Sequence, residues 1–156
     1  MVDEIKKLED LAFGDKNETN SKTLLETYFN EKMFKFYKNG VVDEFSTFDF
    51  YTQSKKYIEI KSRRTYLKDY PTQLIGHNKW IKALKSIKDG YVVYFIWILL
   101  DGNYIYKVNP LDVFPTRMIA NARRKDKKDK LVIVSMDKCV KMAEKEQMNR
   151  FIVNFD

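Results

Sequence analysis

"FDFYTQSKKYIEIKS", residues 48–62, is the stretch on which the reading of this chain turns. Apolar and polar side chains alternate on both sides of a short polar break, the period-2 pattern of two strands joined as a hairpin. Phe48, Phe50, Ile58 and Ile60 are expected on one face, and Asp49, Glu59 and Lys61 on the other. If the strands pair antiparallel across Gln53-Ser54-Lys55, opposed positions sum to 108. That register sets Phe50 against Ile58, Phe48 against Ile60, Thr47 against Lys61 and Asp49 against Glu59.

Opposed like charges weaken a strand pair. Two carboxylates about 4 Å apart repel by about 4 kcal/mol at an effective dielectric of 20. One reading is a half-exposed hairpin whose outer face is simply charged, with Lys61 softening the repulsion. The other gives the two acids a shared divalent cation. Mg²⁺ takes one or two carboxylates and fills its remaining positions with water and phosphate oxygens. When bound it activates water and offsets charge on a scissile phosphate. Lys61, on the same face, would orient that water or stabilise the growing negative charge.

At these residues the chain resembles the PD-(D/E)xK nuclease superfamily, the restriction-endonuclease-like fold. "FDF" supplies the aspartate, Asp49, and "EIK" supplies the glutamate-x-lysine, Glu59 and Lys61. The ten-residue spacing from Asp49 to Glu59 is similar to that of phage and archaeal Holliday-junction resolvases. Phe48 stands where the family often has proline. The resemblance covers roughly residues 21–100 and implies an α/β fold, a mixed central sheet flanked by helices with an αβββαβ core. It also implies Mg²⁺ or Mn²⁺ as cofactor and hydrolysis of phosphodiester bonds, with DNA favoured over RNA. Many members add a glutamate from the first helix as a metal ligand. Glu26 is the better match, because Phe29 and Met33 would hold its helix on the sheet, and Glu18 is the alternative. Some members place a glutamine on the helix after glutamate-x-lysine, and Gln73 matches by position.

The rest of the chain is consistent with one domain of 156 residues, a core over about 18–108 and an α/β extension over 109–156. With 44% apolar residues, five glycines and three prolines, the composition is that of a folded chain. Residues 3–12 read as a short helix, 21–37 as a second, and 41–51 as one long or two short strands. Residues 71–90 read as a helix opened by Pro71 and stopped by Gly90, with Leu74, His77, Trp80, Ile81, Leu84 and Ile87 inward. "YVVYFIWILL", residues 91–100, is a strand covered on both faces, returned through Asp101-Gly102 by "YIYKV". Residues 109–122 read as short helix or irregular, "LVIV" as the last strand, and 136–151 as the last helix.

The net charge is +7, from 29 basic against 22 acidic residues, which favours a polyanionic partner, nucleic acid ahead of an anionic membrane. Arg63, Arg64 and Lys68 follow the glutamate-x-lysine strand and are expected on phosphates. Arg123, Arg124, Lys125, Lys127 and Lys128, in "ARRKDKKDK", would extend that basic surface, joined by Lys79 and Lys82 from the helix. Tyr66 and Tyr70 are candidates to stack on unpaired bases, with surface packing the commoner role. His77 and the single cysteine, Cys139, read as packing residues. No apolar run is long enough for a membrane span, and "MVDEIKKLEDLAFG" lacks a signal-peptide core, so an intracellular location is expected. A homodimer would suit two nearby nicks in opposite strands. The competing functions are a non-catalytic nucleic-acid-binding module, a site-specific or RNA-directed nuclease, and a scaffold for a protein partner.

Overall fold

The computed structural model describes Ile5, Leu8 and residues 21–43, 46–121 and 127–142. It is a mixed α/β fold. A five-stranded sheet runs in the order β10-β7-β6-β4-β3, built from β3 (Phe50–Tyr51), β4 (Lys56–Ser62), β6 (Val92–Leu99), β7 (Gly102–Lys107) and β10 (Val140–Lys141). β4 and β6 are parallel, while β3, β7 and β10 join antiparallel. A three-stranded antiparallel sheet, in the order β5-β9-β8, contains β5 (Thr72–Gly76), β8 (Thr116–Ala120) and β9 (Lys128–Ser135). β1 (Tyr37–Lys38) and β2 (Val41–Val42) form a small hairpin. The helices are α1, over residues 21–29, and α2 (His77–Lys88). Among the described residues, no helix is long and apolar enough to cross a membrane.

The continuous apolar run becomes β6 because both of its faces are covered. Val93, Phe95, Trp97 and Leu99 enter one core with Trp80 and Ala83 of α2, and with Ile75, Val132 and Val134 of the second sheet. Ile96 and Ile98 enter another with Leu25 of α1, Met33, Phe50 and Ile58. Each fully buried aliphatic side chain contributes about 1.5–3 kcal/mol relative to exposure, so β6 anchors both layers. Asp101 and Gly102 turn the chain into β7 in the expected hairpin, with Leu99 opposite Gly102 and Gly102 at φ +146°.

Several expectations are corrected. α1 ends at residue 29, well short of Tyr37, because Asn30 adopts φ 53° and turns the chain out of the helix. Met33 still reaches the core, from an extended segment in which Phe34 bridges Tyr51. The helix expected from Pro71 starts only at His77. Residues 72–76 instead alternate in burial and pair with β9, so Gln73 sits on a strand. On α2, Trp80, Leu84 and Ile87 pack inward as expected, whereas Ile81 is 49% exposed and Ala83 is fully buried. Thr116–Ala120 form a strand rather than a helix, paired to β9. The last helix is replaced over its described part by a 3₁₀ turn, Met136–Lys138, and β10. The first expected helix falls largely outside the described residues, although Ile5 and Leu8 are helical.

Candidate active site

The hairpin forms in the register expected where its strands pair, with Phe50 opposite Ile58 and Tyr51 opposite Tyr57; residues 47–49, expected opposite Lys61, Ile60 and Glu59, lie outside the paired strand. Its polar face does not look outward. Period-2 alternation along β4 sends Ile58 toward α1, and so turns Glu59 toward the face that α2 covers. Glu59 is accordingly only 4% exposed. Phe48 departs from the expected face, because residues 47–49 bend before β3 begins. Its ring stacks on Tyr57 at 5.1 Å and enters the α2-side core, leaving Phe50 on the opposite side.

Asp49 is tied to the strand beside it. Its N–H donates to the Ile58 carbonyl at 2.9 Å, and its Oδ2 accepts from the Ile60 N–H at 2.7 Å. The Asp49 and Glu59 carboxyl groups hydrogen-bond each other. From the other side, the Lys79 ammonium of α2 donates to Glu59 Oε2. Burial first, then the hydrogen bond and charge of Asp49, push the Glu59 carboxyl up to about 8, against the opposing pull of Lys79. Glu59 therefore favours its protonated form at neutral pH, between Asp49 and the Lys79 ammonium. The like-charge cost anticipated from the sequence is relieved by that proton.

Lys61 lies two residues further along the same strand. Burial pulls its ammonium below the ordinary lysine range, with Lys79 and Arg63 adding to the depression, while Glu59 and Asp49 oppose it. Two acids and two ammonium groups thus form one electrostatically coupled cluster. Lys82, a turn beyond Lys79, donates to Thr47 Oγ1 at 3.0 Å, so Thr47 is engaged with α2 as well.

Two facing carboxylates suit a hard cation, and a proton bridging them is the species that such a cation would replace. Asp49 and Glu59 would hold it, with Lys79 giving up Glu59 Oε2. Among the described residues no group of three or more His, Cys, Asp or Glu side chains is arranged to hold a metal. Glu26 does not join the pair: one of its carboxylate oxygens, Oε2, accepts from the Met33 N–H at 3.2 Å and fastens the chain that leaves α1. Glu18 lies outside the described residues.

The remaining expected contacts are scattered. Arg63 is exposed and donates to the Ser62 carbonyl at 2.9 Å. Lys68 lies 4.9 Å over the Tyr66 ring, and Arg64 is exposed and engaged. Arg123, Arg124 and Lys125 lie outside the described residues. Lys127 is exposed, and its carbonyl accepts from the Asn121 N–H at 2.9 Å where β8 and β9 approach. His77 opens α2, and Cys139 packs against the α2-side core with its thiol pushed up to about 12 by burial and Asp137.

Lys79 is the residue whose place the sequence reading missed. It was assigned to phosphate, yet it closes the acidic pair. A signal was present: Lys79 lies four residues before Ala83, on the helix face that turns out to be buried. No family model, no curated protein and no solved structure matches this chain.

Proposed function

We propose that this protein is a divalent-metal-dependent nuclease that hydrolyses phosphodiester bonds, with DNA as the favoured substrate. The observation that supports it most is the adjoining Asp49 and Glu59 carboxyl groups with the half-buried Lys61 beside them. Burying such groups is costly unless they are paired, and function is a common reason for the cost. Mg²⁺ or Mn²⁺, when bound, supplies Lewis acidity toward water and phosphate. Asp49 and Glu59 would hold the cation, each already oriented, Asp49 by the Ile60 N–H and Glu59 by Asp49. Lys61 would stabilise charge on the attacking water or the phosphate, and its weakened hold on its proton suits a proton-transfer role as well. Lys79 would keep Glu59 Oε2 hydrogen-bonded between turnovers. The helix, hairpin, helix and strand around this pair agree with the PD-(D/E)xK resemblance. A part in repair or recombination is analogy only.

A second reading draws on Lys79. An ammonium already seated on Glu59 suits a non-catalytic nucleic-acid-binding module whose four charged groups merely satisfy one another. Incubation with duplex, single-stranded and branched DNA separates the two. Cutting that needs Mg²⁺ or Mn²⁺ and stops in EDTA supports the nuclease. Binding without cutting under either metal supports the module.

A further inference from the structure

The loop that leaves β4 is pinned back onto the sheet. The Arg63 N–H donates to the Ile98 carbonyl at 3.0 Å, the Leu100 N–H to the Thr65 carbonyl at 2.9 Å, and the Leu67 N–H to Asp101 Oδ1 at 3.0 Å. Between this loop, β5 and the start of α2 lies an open cavity of ≈ 360 Å³, lined by Lys61, Arg63, Thr65, Tyr70, Gln73 and Gly76 among others. The cavity wall is thus held by two backbone bonds and the Asp101 carboxylate.

Three features of the cavity point the same way. Lys61 and Arg63 bring cationic groups to it. Gly76 is the N-cap of α2, a helix of twelve residues with no side-chain cap and no acidic residue in its first turn. Its first N–H groups and its dipole therefore face the cavity rim unneutralised. Gln73, on the inward side of β5, is 9% exposed, and among the described residues its amide has no hydrogen-bond partner. Its amide lines the open cavity, where a ligand can reach it, rather than a packed interior. Among the described residues, no acidic side chain lines that cavity.

The geometry points to a phosphate-binding subsite in this cavity, formed by Arg63, the Gln73 amide and the N-terminus of α2, with Lys61 shared between it and the acidic pair. The phosphate belongs to the nucleic acid, either an internal diester next to the bond cut or a terminal monoester, so the inference rests on the nucleic-acid reading above for its source. Helix N-termini with nearby arginine are well suited to such groups, which accept several donors at once. It also gives Gln73 a role that its place on a strand, away from the expected helix, would otherwise leave open.

The test uses the full chain in EDTA, so that binding is read without chemistry. A short single-stranded oligonucleotide is titrated, with and without a 5′-phosphate, into wild type, Gln73→Glu, Gln73→Met and Arg63→Gln. Circular dichroism and urea midpoints check that each variant is folded. Gln73→Met keeps the volume and loses the amide; Gln73→Glu adds repulsion. The expected result is a loss of about tenfold in affinity for Arg63→Gln and for Gln73→Glu, with a smaller loss for Gln73→Met. Inorganic phosphate should compete with the oligonucleotide on wild type and less well on Gln73→Glu. If the 5′-phosphate strengthens wild-type binding and Gln73→Glu cancels the gain, the source is a terminal monoester. Equal losses on both oligonucleotides assign an internal diester. Folded variants that bind both oligonucleotides as wild type does overturn the subsite, and if that wild type still cuts DNA with Mg²⁺ the nuclease reading stands without it. Binding lost in the variants, with no cutting by wild type under any metal, leaves the subsite and removes the nuclease.

Discussion

The Lys79 ammonium of α2 rests on the Glu59 carboxyl group of β4, although the two residues are twenty positions apart in the chain. This contact joins the helix to the acidic pair and leaves Glu59 with two neighbours that alter its charge, Asp49 and Lys79, while Glu59 in turn acts on Lys61. The consequences can be measured with or without a substrate.

Replacing Lys79 by methionine should destabilise the protein more at high pH than at low pH. Glu59 is protonated below about 8, so Lys79 then meets a neutral acid; above it, Lys79 meets a carboxylate. Urea unfolding at about pH 6 and about pH 9 reads the difference, and an equal cost at both would sink the proposed contact with a titrating Glu59.

The Glu59 carboxyl also sets a slope of its own. Its folded value, about 8, lies above the ordinary 4.5, so between these the native state keeps a proton that the unfolded chain has released. Stability from this group is therefore full below pH 4.5 and declines as pH rises toward 8. Glu59→Gln keeps a neutral donor and acceptor in place. It should flatten the decline and be more stable than wild type above pH 8, as seen in denaturation midpoints across that range.

Glu31 titrates in the opposite sense. Burial raises its carboxyl, but hydrogen bonds from Lys56, Ser54 and Thr52, together with the Lys56 charge, outweigh this and hold it down to about 2. Its contribution is present above pH 4.5 and lost as pH falls toward 2. Glu31→Gln should cost about 1 kcal/mol at neutral pH and almost nothing near the acid limit, by chemical denaturation.

Asp49→Ala and Glu59→Ala should abolish metal-dependent cleavage while DNA binding in EDTA persists. Lys61→Ala should slow cleavage by about 100-fold or more with metal still bound. Calorimetric titration with Mn²⁺ and a gel cleavage assay check the two halves separately; an Asp49→Ala variant that cuts at the wild-type rate would falsify the site.

Charge removal at Arg123, Arg124, Lys125, Lys127 and Lys128 should weaken DNA binding and flatten its salt dependence. Five engaged phosphates correspond to a log-log slope of about −4.5 on duplex DNA. Anisotropy titrations across a salt series give the change in slope, while the rate per bound complex should hold.

The hairpin was legible because its side-chain period is two, and a period of two admits one register that pairs Phe50 with Ile58. The run Tyr91–Leu100 was legible for a related reason: only a strand covered on both sides hides so many apolar side chains in succession. Residues 72–76 were not. Pro71 and the later apolar spacing favoured a helix locally, and β9, more than fifty residues further on, offered backbone partners that local propensity does not register. Glu26 does not join the acids because α1 packs on the sheet face opposite to Glu59 and the Met33 N–H claims its carboxylate.

The amino-acid order alone determined that Phe50 would meet Ile58 across a hairpin and that Glu59 and Lys61 would share one side of its second strand, since alternation along β-strands is a property of the backbone and needs no distant partner. Which side of the sheet they face was decided by tertiary structure. α2 packs over that face, and in doing so buries Glu59, delivers Lys79 to it and opens an uncapped helix end beside Lys61. Burial and long-range charge are set by elements that approach in space, and spacing along the chain carries neither.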